Sequence, residues 1–271
     1  MNKGEKTCVY RFTLFSLYYK NRLSYIRMNE ERLGQKFKTK YGTEYEIIEY
    51  NGWDDVVIQF NDEYKYTYTA RYDHIRKGNV KNPYDKSVCG VGCVGLEILN
   101  KYYTESESYK TWNRMIHRCY DGKKPTYKKC SVCEEWLNYS VFKKWFDENY
   151  YIIPNHEKDM ELDKDILIKN NTIYSPLTCV FVPHIINTTF TKANKSRRLG
   201  LPIGVERTKC GSYIARYHKC HIGTYKTLEE AFVAYKKHKE QTIKHIAEEY
   251  KNLIPQKLYE ALINYEVEIT D

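Results

Sequence analysis

The middle of the chain follows the order strand, loop, strand, helix, and this order constrains the fold more than any other feature of the sequence. The strand-like runs are MELDKDIL (160–167) and TCVFVP (178–183), and a helix is predicted to begin near His184. Short apolar runs bounded by polar loops are typical of strands. The spacing alone therefore predicts a compact unit in which short strands pack with helices.

Two helices are predicted before this unit. The apolar residues of the first recur at helical spacing after Thr111, namely Trp112, Met115, Ile116 and Cys119. The second follows a loop and is predicted to hold the aromatic residues Trp136, Phe142 and Trp145. Because large aromatic side chains dominate core burial, we expect these tryptophans in the core.

An N-terminal β domain is predicted for residues 29–96, after an extension of residues 1–28. The runs TEYEIIEY, DDVVIQF and YKYTYTARY alternate in the manner of strands, and Asn51-Gly52 separates the first two. Asn-Gly between alternating runs is a strong signal for a β-hairpin. The pattern predicts three or four antiparallel strands, which form either a small sheet or a barrel.

The C-terminal region is predicted to begin with a basic linker, residues 191–200, that has no apolar pattern. Residues 201–271 contain three short strand-like runs and then a helix, for which Thr227 is a suitable N-cap. With a central mixed unit at 97–190, the predicted fold class is α+β in several modules.

The net charge of +9 suggests a nucleic-acid partner. Residues 191–240 hold twelve Lys and Arg against four Asp and Glu, and 28 tyrosines lie among the basic residues of the chain. Basic side chains neutralise phosphates, and aromatic rings stack on bases. A merely basic protein surface is the alternative interpretation.

Composition also indicates where the protein resides. An apolar content of 42% argues against disorder, and the longest apolar runs are too short to span a membrane. Arg11 interrupts the apolar segment 9–17, and no cleavage pattern follows it, so no signal peptide is expected. Nine cysteines without a secretion signal fit a reducing cytoplasm, where clustered cysteines often bind metal.

Two family resemblances cover residues 105–260. The central segments YKTWNRMIHRCYD, CSVCEEWLNYSVFKKWF and LDKDILIKNNTIYSPLTCVFVPHIIN resemble HNH-type endonucleases, which are common in bacteriophages and mobile elements. The segments LPIGVERTKCGSYIARY and IGTYKTLEEAFVAY resemble the ethylene-response-factor type of DNA-binding domain, known in plants and in phage homing endonucleases. The occurrence of both resemblances in this order is more specific than either resemblance alone.

The HNH resemblance implies one divalent cation, usually Mg²⁺, held against the scissile phosphate. Carried onto this chain, it makes Asp163 the strand ligand and Asn187 the helix ligand. Magnesium prefers such oxygen ligands, together with phosphate and water. The cation would stabilise the departing oxygen while a neighbouring base takes a proton from water.

The chain departs from the HNH pattern at two positions. Lys164 stands where these nucleases carry the basic histidine, and Thr178 stands where many relatives carry the asparagine that steadies the loop. A lysine is a poor proton acceptor unless burial lowers its pKa strongly. The candidate substitutes for the missing base are Asp165, His156 and His184, although His184 also fits a plain helix-surface residue.

Four cysteines of the central region suggest a structural zinc site. Zn²⁺ is commonly bound by four sulfur or nitrogen ligands, and a CxxC motif often supplies two of them. The candidate ligands are Cys119, Cys130, Cys133 and Cys179, with His117 in reserve. The alternative is that these cysteines are small buried apolar residues.

The C-terminal resemblance implies that a three-stranded sheet docks in the major groove of duplex DNA. Its candidate contacts are Arg207, Lys209, Tyr213, Arg216 and His218, with Arg197 and Arg198 approaching from the linker. An ordinary solvated basic face is the alternative.

Three functions are compatible with these patterns. The favoured one is a phage-type DNA-binding protein of HNH descent that hydrolyses a phosphodiester of duplex DNA in the cytoplasm of the host. The second is a catalytically inactive phage protein that binds and inhibits a host defence protein, which the loss of the histidine favours. The third is a transcriptional or architectural DNA binder.

Overall fold

A computed structural model describes residues 31–155, 160–190 and 200–269. The fold class is α+β. The chain divides into two compact units: Met1–Tyr109 with Leu137–Val141, and Lys110–Trp136 with Phe142–Asp271. The predicted extension at 1–28 and nearly all of the predicted linker at 191–200 lie outside the described residues.

The first unit contains a four-stranded antiparallel sheet in the order β1-β2-β3-β4. Its strands are Lys36–Lys38, Glu44–Tyr50, Val56–Phe60 and Thr67–Ala70. The hairpin predicted at Asn51-Gly52 is confirmed, because it joins β2 to β3. The predicted alternation is also present, since Val56, Ile58 and Phe60 are fully buried while the residues between them are partly exposed.

A short helix α1, Tyr72–Arg76, follows this sheet and buries Ile75 in the same core. The hydroxyl of Tyr45, itself fully buried, donates a hydrogen bond of 2.7 Å to the carbonyl oxygen of Ile75. Residues 137–141 complete the unit from a distant part of the chain. The amide of Cys93 donates to the carbonyl of Leu137, and the amide of Tyr139 donates to the carbonyl of Cys93, each at 2.9 Å.

Helices α2, Glu107–Tyr120, and α3, Tyr139–Asn149, contribute most of their length to the second unit. Trp112 and Trp136 are fully buried, and the indole nitrogen of Trp112 donates to the carbonyl of Trp136 at 2.7 Å. Trp136 was expected in the second helix but lies in a 3₁₀ turn, Glu134–Leu137. Helix α3 begins after it because the Asn138 side chain accepts the Ser140 amide at 3.0 Å, as an N-cap does.

The predicted order strand, loop, strand, helix is present in the second unit. Strand β6, Met160–Asp163, pairs antiparallel with β8, Val180–Pro183, and helix α4, His184–Thr189, follows directly. The loop between β6 and β8 contains β7, Ile173–Tyr174, which pairs in parallel with β5, Ser131–Val132. We call β6, the loop, β8 and α4 the finger.

A three-stranded antiparallel sheet lies in the C-terminal part of the second unit. Its strands are β9, Val205–Arg207, β10, Tyr213–Tyr217, and β11, Cys220–Tyr225, with β10 in the centre. Helix α5, Leu228–Tyr250, follows, and α6, Gln256–Ile263, is the last helix. Thr227 caps α5 as predicted, because its hydroxyl accepts the Glu230 amide and the Glu230 carboxylate accepts the Thr227 amide.

Helix α5 takes part in two hydrophobic cores. Its first turns pack Ala231, Phe232 and Tyr235 against the three-stranded sheet. Its later turns pack Ile243 and Ala247 against the finger. The sheet and the finger therefore share one continuous helix. Among the helices of the described residues, none is both long enough and apolar enough to cross a membrane.

Candidate functional site

The finger brings a strand carboxylate against two residues of helix α4. The Nδ1 atom of His184 lies 2.9 Å from Oε1 of Glu161, and the side-chain amide of Asn187 donates a hydrogen bond to Oε2. Both oxygens of one carboxylate are thus engaged by the same helix. We call Glu161, His184 and Asn187 the finger cluster.

The position of the finger cluster follows from strand register and helix periodicity. Glu161 pairs with Val182 in the antiparallel ladder, so its side chain lies close to the start of helix α4. His184 and Asn187 are three residues apart and therefore lie on one side of that helix. The side chains of Glu161 and His184 are 40% and 60% exposed, so a large substrate can reach them.

The Asp163 side chain is used within the finger rather than facing helix α4. Its Oδ1 accepts the backbone amides of Asp165 and Ile166, both at 2.8 Å, which closes the turn after β6. Burial raises the pKa of this carboxyl, the charge of Asp165 raises it further, and the two amides only partly offset these effects. The sequence paired Asp163 with Asn187; the structure pairs Glu161 with Asn187 instead.

Lys164 is a charged group and not a proton acceptor. Its Nζ lies 3.2 Å from Oδ1 of Asp165 and 5.7 Å from the centre of the Tyr174 ring, with only 11% of the side chain exposed. Burial by itself would lower the pKa of Lys164, but the charge of Asp165 and its hydrogen bond to Lys164 help to raise the pKa above its usual value. The ammonium therefore stays protonated at neutral pH, and Asp165 is its ion-pair partner.

An asparagine does steady the loop of the finger, at a position that the sequence did not single out. The side-chain amide of Asn171 donates to the carbonyl of Lys164 at 2.8 Å and to that of Ile173 at 2.7 Å. Thr178 contributes as well, because its hydroxyl donates to the Ile173 carbonyl at 2.8 Å. The loop is therefore tied to β6 and to β7.

The four candidate zinc ligands interact in pairs. Cys130 influences the pKa of Cys119, and Cys133 influences that of Cys179. Burial raises the pKa of Cys119 to about 11 and that of Cys179 to about 12. The reserve ligand His117 lies 3.8 Å from the carboxylate of Asp121 instead.

The three-stranded sheet presents one face to helix α5 and the other to solvent. Ala215 is fully buried against the helix, so its neighbour Arg216 lies on the opposite, outer face. There the Nε of Arg216 makes an ion pair of 3.3 Å with Glu206, and Arg216 pairs across the strands with His221. His221, exposed on this face, was missing from the predicted contacts.

The other predicted DNA contacts lie at different places around the sheet. Tyr213 packs partly against the core below the sheet, and the guanidinium of Arg207 lies 6.0 Å from the centre of its ring. Lys209 is exposed in the turn between β9 and β10, and His218 is exposed in the turn between β10 and β11. Outside the described residues lie Arg197, Arg198 and His156.

The finger cluster fits a divalent cation of the magnesium type in its donor chemistry. Glu161 offers a carboxylate and Asn187 an amide, and magnesium takes one or two such oxygen donors together with water and phosphate. Those two residues, beside His184, would hold the cation.

The cysteines do not provide a matching set for zinc. Over residues 31–155, 160–190 and 200–269, no three His, Cys, Asp or Glu side chains are grouped so that they could hold a metal ion. Zinc therefore stays a prediction without support from the geometry.

Comparison with known proteins gives this chain no relative. No protein-family model, no curated protein and no solved structure matches it.

Proposed function

We propose that this chain is a DNA-binding protein of HNH endonuclease descent that hydrolyses a phosphodiester bond at the finger cluster. The observation that carries the proposal is the contact of Glu161 with both His184 and Asn187 on the following helix. A carboxylate that holds one ring nitrogen of a histidine orients the ring and leaves the other nitrogen for proton transfer.

Each residue of the finger cluster has a distinct role in this proposal. The Nε2 of His184 takes the proton from the attacking water, and Glu161 stabilises the imidazolium that results. Asn187 fixes the second oxygen of Glu161 and so keeps the carboxylate in place. A divalent cation, when bound, supplies positive charge at the departing oxygen.

The outer face of the three-stranded sheet is the proposed surface for duplex DNA. Arg216 and His221 lie next to each other on it, and Lys209 lies in an adjoining turn. Residues 191–240, which include this sheet, carry twelve Lys and Arg against four Asp and Glu. Neutralisation of phosphates by such residues supplies most of the sequence-independent affinity for DNA.

A plasmid-nicking assay tests the hydrolysis. Supercoiled plasmid is incubated with the protein in Mg²⁺, Mn²⁺ or chelator, alongside Glu161→Gln and His184→Ala. Both substitutions are expected to lower the metal-dependent nicking rate about 100-fold or more, because a positioned base contributes roughly that factor.

The matched control is His245→Ala. His245 lies on the exposed side of helix α5, 3.3 Å from Glu249, so it is an exposed histidine–carboxylate pair outside the finger cluster. This variant is expected to nick at the wild-type rate. Nicking that persists in His184→Ala would overturn the role of the finger cluster.

A non-catalytic protein is the second candidate, and two observations favour it. Lys164 is held by Asp165 where the related nucleases carry their base, and Asp163 is used by a turn. Such a protein would act by binding, either to DNA or to a host defence protein. DNA binding without nicking would support a DNA binder, whereas absence of both would favour the protein-binding function.

A further inference from the structure

A cleft of about 420 Å³ lies in the second unit, and none of the finger cluster lines it. It is bounded by the C-terminal end of helix α3, by strand β8 and by the connection between helices α5 and α6. Its size suits a ligand of the dimensions of a nucleotide, because small-molecule sites commonly occupy about 300–1,000 Å³.

Aromatic side chains form one wall of the cleft and are held firmly. The ring of Trp145 stacks on Phe181 with centroids 5.5 Å apart and planes 30° apart, and Tyr150 meets Phe181 edge-on at 5.0 Å. The hydroxyl of Tyr151 donates to the Phe181 carbonyl at 2.6 Å. A wall of fixed rings favours a flat aromatic ligand, which can stack without reordering the protein.

Polar side chains also line the cleft. Asn149 and Asn252 each provide an amide with both a donor and an acceptor, while Glu148 and Lys257 provide one negative and one positive charge. The side-chain nitrogen of Asn149 donates to the Trp145 carbonyl at 2.9 Å, so the side-chain oxygen of Asn149 is the atom left to accept a hydrogen bond from a ligand. Glu148 and Lys257 have no ion-pair partner within the part of the chain that the structure describes.

These polar and charged groups restrict the class of ligand that the cleft can bind. A lipid chain would leave the amides and charges of the cleft without partners. A nucleobase has a flat π-face for the rings and alternating donors and acceptors for the amides, and its phosphate suits a single lysine.

We propose that this cleft binds one nucleotide, with the base on the Trp145–Tyr150 wall, its edge at Asn149 and Asn252, and its phosphate at Lys257. The nucleotide comes either from a nucleic-acid strand, as an unstacked base, or from the free mononucleotide pool. The site goes beyond the proposed hydrolysis and does not require it, since the finger cluster contributes nothing to the cleft.

Isothermal titration calorimetry of the full chain tests this site. The probes are AMP, GMP, CMP and TMP, single-stranded oligonucleotides of about six bases, and ribose 5-phosphate as a ligand that has no base. Asn252→Ala and Lys257→Ala change exposed residues of the cleft and are expected to keep the fold. Lys144→Ala is the matched control, because Lys144 is exposed on helix α3 but does not line the cleft.

The expected result is saturable nucleotide binding that Asn252→Ala and Lys257→Ala each weaken about tenfold, with Lys144→Ala unchanged. Equal affinity for an oligonucleotide and its mononucleotide would assign the free pool, and preference for the oligonucleotide would assign the strand. Absence of binding, equal binding of ribose 5-phosphate, or affinity unchanged in both cleft variants would each overturn the proposal.

The proposals for the cleft and for the finger cluster can be tested separately. If both proposals hold, His184→Ala loses nicking but binds nucleotides normally, and Lys144→Ala retains both activities. Loss of nucleotide binding in His184→Ala would show that the two sites are not independent and would overturn the assignment to the cleft.

Discussion

Gly204 is a residue at which the backbone and the packing both require glycine. Its φ is +75°, in the left-handed region, and a Cβ built on it would overlap the ring of Tyr235. Gly211, in the turn between β9 and β10, has a φ of +89° but open space around it. The two positions therefore differ in packing and share the same kind of backbone conformation.

We expect Gly204→Ala to destabilise the second unit more than Gly211→Ala. The left-handed conformation costs an alanine about 1 kcal/mol at either position. The overlap with Tyr235 adds about 1–3 kcal/mol at position 204 alone, as overpacking does. Urea unfolding of the two variants measures the difference, and equal midpoints would contradict the packing of Gly204 beneath Tyr235.

Asp85, a buried carboxyl in the first unit, makes a pH-dependent contribution to stability. Burial raises its pKa, although hydrogen bonds from Thr43 and Thr39 act in the opposite direction. In the unfolded chain the pKa of an aspartate is about 3.9. Because the folded state holds this proton to higher pH, the contribution of Asp85 is fully present below that value and is lost as pH rises through the folded pKa.

Asp85→Asn is therefore expected to reduce the loss of stability as pH rises above the unfolded pKa. Thermal unfolding of both proteins at a series of pH values from about 4.5 to 7 is the measurement. The advantage of the variant should grow with pH, since asparagine has no charge to bury. Asp54→Asn, at an exposed position of the β2–β3 hairpin, is the control, and an identical pH response in both variants would contradict the role of burial.

At the scale of elements, helix α5 is the part of the second unit on which both cores depend. Ile243 is 1% exposed and packs against the finger, whereas Val233 on the same helix is 63% exposed. Ile243→Ala is expected to cost about 2–5 kcal/mol, as large-to-small core substitutions do. Val233→Ala should change the free energy of unfolding by less than about 0.5 kcal/mol, as surface substitutions do.

Chemical denaturation of both variants tests the prediction for α5. Hydrogen exchange adds a second measurement, because loosening at Ile243 should lower protection in β6 and β8 as well as in the helix. Protection unchanged in those strands would mean that α5 does not stabilise the finger.

The elements that the sequence predicted are those with local signals. Asn51-Gly52 indicates a hairpin whatever the tertiary context, and Thr227 with Glu230 indicates a helix start. Trp136 was misplaced because its spacing to Phe142 and Trp145 fits a helix, whereas Asn138 starts the helix later. A side-chain cap of this kind overrides apolar spacing.

The contacts within the finger cluster could not be predicted from any local sequence pattern. Glu161 and Asp163 lie on the same face of one strand, so alternation cannot say which carboxylate meets helix α4. The pairing of Glu161 with Val182 and the turn that occupies Asp163 decide it. In the same way, Asn171 was missed because its partners depend on how the finger loop closes.

For the molecule as a whole, the proposed DNA binding should respond to salt according to the number of phosphates that its basic side chains neutralise. The proposed function predicts that the affinity for duplex DNA falls steeply from 50 to 200 mM salt, because each neutralised phosphate releases counterions. Arg216→Gln should weaken binding and reduce the slope of log K against log salt by about 1.

Lys36→Gln is the control for the salt prediction. Lys36 lies in the first unit, 3.9 Å from Glu46, so its removal changes the net charge equally without changing the three-stranded sheet. The two slopes are measured by fluorescence anisotropy. If Lys36→Gln lowered the slope as much as Arg216→Gln, total charge and not the outer face of the sheet would govern binding.

Helix α5 also sets a distance. Phe232, which packs beneath the sheet, and Ala247, which packs beneath the finger, are separated by about 22 Å along the helix at its regular rise. This separation is less than one turn of duplex DNA, about 34 Å. If the proposed functions of the sheet and of the finger both hold, this one continuous helix fixes the distance between recognition and cleavage, and the cut is expected at a short, constant offset from the recognised sequence.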